Sequence, residues 1–250
     1  MTARDNSEYI REPKGATTAV LMIHGICGTP RQFDFLIPII PNEYAVYNIL
    51  LSGHGGGVRD FSHASMKAWL SETESRLSAL YEKYERIIVV GHSMGTLLLM
   101  SFFEKYSDKI AKMIFLASPL RIFMKPKMIP TSLKIAFDKY DRENSYHVAM
   151  RKAYSIEPDG RLWRYLGWIP RYLELFSLSR KTRAKVQNIN VPTYVFQSAQ
   201  DELVCKSSAK YFENKENIKL YMLENSRHFD YSESDLGFMC EKISELIAKL

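Results

Sequence analysis

Cysteine is scarce: Cys27, Cys205 and Cys240 are the only ones in 250 residues, and no C-x-x-C pair is among them. This excludes a disulfide-stapled secreted scaffold and suits a reducing compartment. Long apolar runs are also missing. Met1 to Gly15 is polar and charged, without the apolar stretch of a signal peptide, and no segment has the length that a membrane-spanning helix needs. The expectation is a cytoplasmic protein. The chain carries no internal repeat, no low-complexity tract and no nucleic-acid-binding module, so no nucleic-acid partner is expected.

What the chain does have is core: 46% hydrophobic content over 250 residues suffices for one large α/β unit. Short continuous apolar runs predict strands at Ala19 to Ile23, Ala45 to Leu50, Arg86 to Val90, Met113 to Ala117, Thr193 to Phe196 and Lys219 to Leu223. Helical patterns lie between them, at Phe33 to Ile39, Ser65 to Tyr84, Gly95 to Tyr106, Lys206 to Phe212 and Glu233 to Leu250. Strands of this kind, buried on both faces, imply a mostly parallel sheet with helices on either side.

One motif carries chemistry. Gly91-His92-Ser93-Met94-Gly95 matches G-x-S-x-G between the apolar run Ile87 to Val90 and the helical pattern that follows. A strand, a sharp turn and a helix would lift Ser93 to the rim of the sheet, with the N–H of Met94 at the helix start facing any charge that develops there. A serine hydroxyl needs a base, and such a turn predicts an acid and then a histidine, each after a later strand. Asp201 ends the polar loop behind Val191 to Phe196, and His228 ends the turn behind Ile218 to Leu223. Asp230 competes for the acid role, but Asp201 is preferred because residues at i and i+2 normally point apart. Of the six histidines, His24, His54 and His92 read as shaping loops; His63, at a loop or helix start, and His147 read as solvated or packed. Cys27 reads as a buried structural thiol.

With these residues in place the chain resembles the α/β-hydrolase superfamily, and within it the bacterial carboxylesterases and monoacylglycerol lipases. The likeness rests on four blocks: His24-Gly25-Ile26-Cys27-Gly28-Thr29-Pro30, Ser52-Gly53-His54-Gly55, the serine turn, and Asp201 with His228 in family order. It implies hydrolysis of acyl esters through an ester on Ser93, with the N–H groups of Ile26 and Met94 forming the oxyanion hole, and no metal or organic cofactor. Thr96 departs from the pattern, standing where these esterases usually have glycine. A threonine there is expected to narrow the acyl side of the pocket or to move the helix slightly. The opening antiparallel hairpin of many relatives reads as shortened or absent.

Strand patterns vanish from Pro119 to about Ile189, where many relatives insert a helical cap. The expected division is therefore a core of residues 1–118 and 190–250 and a cap of residues 119–189. This segment holds fifteen Lys and Arg against six Asp and Glu, a net +9 that exceeds the +6 of the whole chain. Two readings stand. The charges are solvated faces of cap helices, with Leu162, Tyr165, Leu166, Trp168, Leu173, Leu175 and Phe176 packed on the core or lining the acyl pocket; or the cap briefly touches an anionic lipid surface or draws in an acidic substrate. Met124, Met128 and Met150 suit medium acyl chains. A small-molecule ester is the expected partner, and the chain a monomer or homodimer. The same triad also serves acyl transfer to alcohols or thiols, or cleavage of thioesters, amides or activated carbon–carbon bonds; a scarcely catalytic ligand receptor is the other class.

Overall fold

A computed structural model describes residues 6–123, 128–137 and 139–249. Met124, Lys125, Lys127, Asp138 and Leu250, which enter the expectations above, lie outside these residues, as does the Met128 side chain. Among the described residues seven strands form one sheet: β1 (Tyr9–Arg11), β2 (Thr18–Ile23), β3 (Ala45–Ile49), β4 (Arg86–His92), β5 (Ile110–Leu116), β6 (Thr193–Ser198) and β7 (Ile218–Leu223). Their order is β1-β3-β2-β4-β5-β6-β7, parallel throughout except for β1, which pairs antiparallel with β3. Among the described residues one three-residue edge strand, β1, precedes β2.

The alternation of burial explains the sheet. Leu21, Val89 and Phe115 face one apolar cluster, while Met22, Val90 and Ile114 face the other, so each central strand must be apolar at every position. On the first face lie α1 (Val58–His63), α2 (Met66–Lys83) and α3 (Met94–Tyr106), with Phe61, Trp69, Leu77, Leu98 and Phe103 in that core. Between β5 and β6 come α4 (Met128–Ala136), α5 (Ser145–Ala153), a 3-10 turn (Leu162–Gly167) and α6 (Trp168–Lys185). Leu175 and Leu178 of α6 join the first core as well. The second face is covered by α7 (Glu233–Ala248), through Met239, Ile243 and Ile247, and by residues of short turns near Phe33.

Four expectations need correction. The segments at 33–39 and 206–212 are short 3-10 turns (Pro30–Phe33, Ile37–Ile39 and Lys206–Tyr211); Pro30 and Pro38 stand at the first or second position of the two earlier ones, where a missing N–H costs nothing. Helix α1 was not anticipated, because Gly53 to Gly57 reads as one open turn; the Asp60 carboxylate accepts the Gly57 N–H at 2.8 Å and starts a helix there. His63 consequently closes a helix instead of opening one. Finally, Leu162, Leu166, Leu173 and Phe176 do not pack on the core. They are 45–65% exposed, whereas Tyr165, Trp168 and Leu175 of the same stretch do turn inward.

Candidate functional site

The chain runs from β2 to one side (β3) and then crosses to the other (β4), so the carboxyl ends of β2 and β4 flank the point where strand order reverses. Open α/β sheets bind ligands in the crevice at such a point. Ile23 pairs with Gly91, which sets the loop after β2 beside the turn after β4.

Ser93 occupies that turn with φ +51° and ψ −119°, in the left-handed half of the map where a non-glycine residue is strained. Bonds around it hold the strain. The Ser93 N–H reaches the Leu116 carbonyl at 2.9 Å, and the Ser93 carbonyl accepts from the Thr96 N–H at 3.0 Å and the Thr96 hydroxyl at 2.8 Å. Thr96 is wholly buried, and its hydroxyl also meets Ser118 Oγ at 2.9 Å. Its hydroxyl therefore braces the turn from behind, against the segment that follows β5.

The side chains of Ser93, His228 and Asp201 come together. Ser93 Oγ lies 3.1 Å from His228 Nε2, and His228 Nδ1 lies 2.8 Å from Asp201 Oδ2, with the histidine and aspartate side chains each 2% exposed. The other Asp201 oxygen accepts the N–H groups of Leu203 and Val204, both at 2.8 Å, which fixes the carboxylate plane. Asp230 instead closes the histidine loop through its carbonyl, which accepts the Arg227 N–H at 2.8 Å. Burial alone would lower the His228 pKa, but the Asp201 charge and hydrogen bond, helped by Glu202, outweigh it and raise the pKa above 6.5.

The loop after β2 is tied on both sides of Ile26. Gly25 N–H donates to Gln32 Oε1 at 3.0 Å, Cys27 N–H to His54 Nε2 at 3.1 Å, and Gly28 N–H to the Gly25 carbonyl at 2.9 Å. Ser155 N–H, from the segment between β5 and β6, reaches the Cys27 carbonyl at 2.9 Å. Met94 is the first residue of α3, so its N–H has no acceptor within the helix.

Three of the other histidines are neutral struts. Burial lowers His24 to about 4, His54 well below its ordinary value and His92 to about 3. His24 Nε2 accepts the Leu51 N–H at 3.1 Å, and His92 Nε2 donates to the His228 carbonyl at 3.2 Å. His63 is exposed and His147 is half-buried in α5. Burial pushes the Cys27 thiol up to about 12, which makes it a poor nucleophile beside the Tyr172 hydroxyl 3.7 Å away. Among the described residues no group of three or more His, Cys, Asp or Glu is arranged to hold a metal ion, and no helix is long and apolar enough to cross a membrane.

Sequence reasoning missed Glu202, which is 4% exposed, accepts the Tyr146 hydroxyl proton and lies 3.4 Å from the His228 backbone nitrogen. Its one sequence signal was adjacency to Asp201.

Known proteins resemble this chain in sequence and in fold. Two human proteins, serine hydrolase-like protein and serine hydrolase-like protein 2, are 30% identical over 115 residues, which make up 44% of this chain; the chain spans only 54% and 35% of their lengths. A thermostable monoacylglycerol lipase of Bacillus sp. (strain H-257) is 25% identical over 235 residues, 92% of this chain and 90% of that one. A solved structure described among two metagenome-derived lipolytic enzymes superposes with a TM-score of 0.75 at 19% identity, covering 98% of each chain, which is a likeness of fold. The model of the alpha/beta hydrolase family matches residues 20–235. That match covers most of the chain, which therefore belongs to the α/β-hydrolase family.

Proposed function

We propose that the protein is a serine hydrolase of carboxylic esters with short to medium acyl chains, of the carboxylesterase or monoacylglycerol lipase type. The observation that carries this is the relay Ser93 Oγ to His228 Nε2 to Asp201 Oδ2, at 3.1 and 2.8 Å, with the serine on a strained turn. Ser93 attacks the ester carbonyl as its proton passes to His228. Asp201 accepts the Nδ1–H of the imidazole, which leaves Nε2 free to take the serine proton, and stabilises the positive charge that forms, and the N–H groups of Ile26 and Met94 receive the oxyanion. His228 then protonates the departing alcohol. A water that gives a proton to His228 attacks the acyl-serine, releases the carboxylic acid and restores the enzyme. None of these steps calls on a metal or organic cofactor. The similarity to the Bacillus monoacylglycerol lipase supports an ester of a small alcohol as substrate. Residues 119–189 act as the cap, and the free thiols of Cys27, Cys205 and Cys240 suit the cytoplasm.

The test is steady-state hydrolysis of p-nitrophenyl esters from acetate upward, with a fluorophosphonate label alongside. The expected result is labelling at Ser93 and a rate optimum beyond acetate at short to medium chain length. An optimum at acetate with no turnover of longer acyl groups sinks the chain-length assignment. Absence of both label and turnover favours a ligand receptor, and partitioning of product toward an added alcohol favours an acyltransferase.

The partner reading follows from the exposed side chains. Ile169, Leu173 and Phe176 recur at helical spacing along α6 and, with Leu162, Trp163 and Leu166 of the 3-10 turn before it, form an apolar stretch 45–67% exposed. Arg180 and Lys181 are exposed farther along α6, within the segment of net +9. An anionic lipid surface fits this combination, since the rings and branched chains enter the interface while the cations meet head groups. Trp163→Glu with Leu166→Asp is expected to weaken binding to phosphatidylglycerol vesicles at least about tenfold, because each large apolar side chain contributes roughly 1.5–3 kcal/mol when buried. Hydrolysis of a soluble short ester should be unchanged. Equal sedimentation of wild type and variant with the vesicles would remove the stretch from any lipid role.

A further inference from the structure

A second carboxylate lies beside the acid of the triad, and the proposed mechanism does not use it. Glu202 is buried, and both its oxygens are engaged: Oε1 accepts the Tyr146 hydroxyl proton and Oε2 faces the His228 backbone N–H at 3.4 Å. Tyr146 belongs to α5, 56 residues earlier in the chain. Its ring packs with Ile135 of α4 and Met150 of α5 in a small cluster separate from the two main cores, against Leu203 from the acid loop and Phe229 from the histidine loop. Phe229 in turn stands edge-on to the His228 ring, with centroids 4.5 Å apart. The Arg227 guanidinium covers the Tyr146 ring at 4.8 Å. Helix α5, the acid loop and the histidine loop therefore meet at Glu202.

Such an arrangement has a cost that calls for a reason. Removing a carboxylate from water is unfavourable unless it is well hydrogen-bonded, and here one donor is the phenol of a helix outside the sheet. We propose that Glu202 is a positioning residue for the Ser93–His228 pair: it holds the histidine loop through the His228 N–H, adds negative charge that favours the imidazolium, and fastens α5 to the site through Tyr146. The proposal rests on the serine-hydrolase reading above.

The charges facing His228 make the second role readable. From the acid loop come Asp201 and Glu202; from the serine turn comes His92, which burial keeps neutral; from α5 comes the Tyr146 hydroxyl, with Arg227 on the far side of its ring. The histidine loop itself adds Asp230, two residues on. Asp201 and Glu202 both act to raise the His228 pKa, and Glu202 is the one that makes no hydrogen bond to the ring. A base works only when neutral, so each carboxylate moves the rise of activity with pH to higher pH while stabilising the charge that forms on the histidine during attack.

The experiment is the pH dependence of the second-order rate at which a fluorophosphonate labels Ser93, for wild type, Glu202→Gln and Tyr146→Phe. Glutamine keeps the size and an acceptor but loses the charge. The proton NMR titration of the His228 ring and hydrogen exchange of α5 are measured on the same proteins. For Glu202→Gln the acidic limb and the ring titration should both move down by about one pH unit, with a plateau rate several-fold lower. For Tyr146→Phe the limb should stay in place while the amides of residues 148–153 exchange several-fold faster. If Glu202→Gln lowers only thermal stability and leaves limb and ring titration where they were, Glu202 is structural and the proposal is overturned. Unchanged exchange in Tyr146→Phe would remove the fastening role. A wild type that never labels would count against the serine-hydrolase reading, and the ring titration, which needs no turnover, would still decide the effect of Glu202.

Discussion

Ser93→Ala is expected to lower kcat for ester hydrolysis by about 10⁵- to 10⁶-fold, and Asp201→Asn by about 10⁴-fold, with the fold of both variants intact. The serine change removes the proposed nucleophile and one hydrogen bond, that to His228, so a folded protein that no longer takes a fluorophosphonate should result. The aspartate change is the more informative. Asp201 Oδ1 accepts two backbone N–H groups, from Leu203 and Val204, so the carbonyl of an asparagine must turn toward them and its NH₂ toward His228 Nδ1. Two donors would then face each other unless the imidazole moves its proton to Nε2, where it points at Ser93 and cannot take the serine proton. A variant with lost activity but an unchanged melting temperature and retained ligand binding matches this account. An Asp201→Asn enzyme within tenfold of wild type would show that Asp201 does not set the tautomer.

The parts of this arrangement that were legible in the sequence are those that local chemistry dictates. The serine turn could be read because its strand, its glycines and its helix are contiguous, and Asp201 and His228 because each follows a short, mostly apolar run that reads as a strand, β6 buried and β7 a half-buried edge strand. What escaped depends on where a face is directed after folding. Leu162, Leu166, Leu173 and Phe176 are spaced as one helical face in the sequence, yet periodicity does not say whether such residues meet a core or solvent, and here, split between a 3-10 turn and α6, they meet solvent. Thr96 escaped similarly: the missing glycine was visible, but its use as a brace between the Ser93 carbonyl and Ser118 depends on a neighbouring strand 22 residues on. Glu202 escaped because its partner, Tyr146, lies in a segment where no strand pattern fixes the register.

A glycine pair gives the largest stability effect expected, and the contrast within it isolates the cause. Gly95, in the first turn of α3, backs directly onto β2: a Cβ there would overlap the Ile23 carbonyl oxygen and lie 2.7 Å from its carbon and 3.0 Å from the His24 oxygen. All three atoms are backbone, so no rotamer change relieves the clash, and α3 would have to lift away from the sheet that places Ser93. Gly95→Ala should therefore cost more than about 4 kcal/mol and leave little folded protein, as expected where overpacking strikes main chain. Gly237, inside α7, has no heavy atom within 4 Å of the position a Cβ would take and no unusual φ. There the same substitution should stabilise the protein by roughly 0.5–1 kcal/mol, since alanine gives up less chain entropy in a helix. Urea denaturation of the two variants reads both signs in one experiment. Gly95→Ala with wild-type stability would mean that α3 does not approach β2 closely enough to require glycine, and the account of how the sheet sets the serine turn would fail with it.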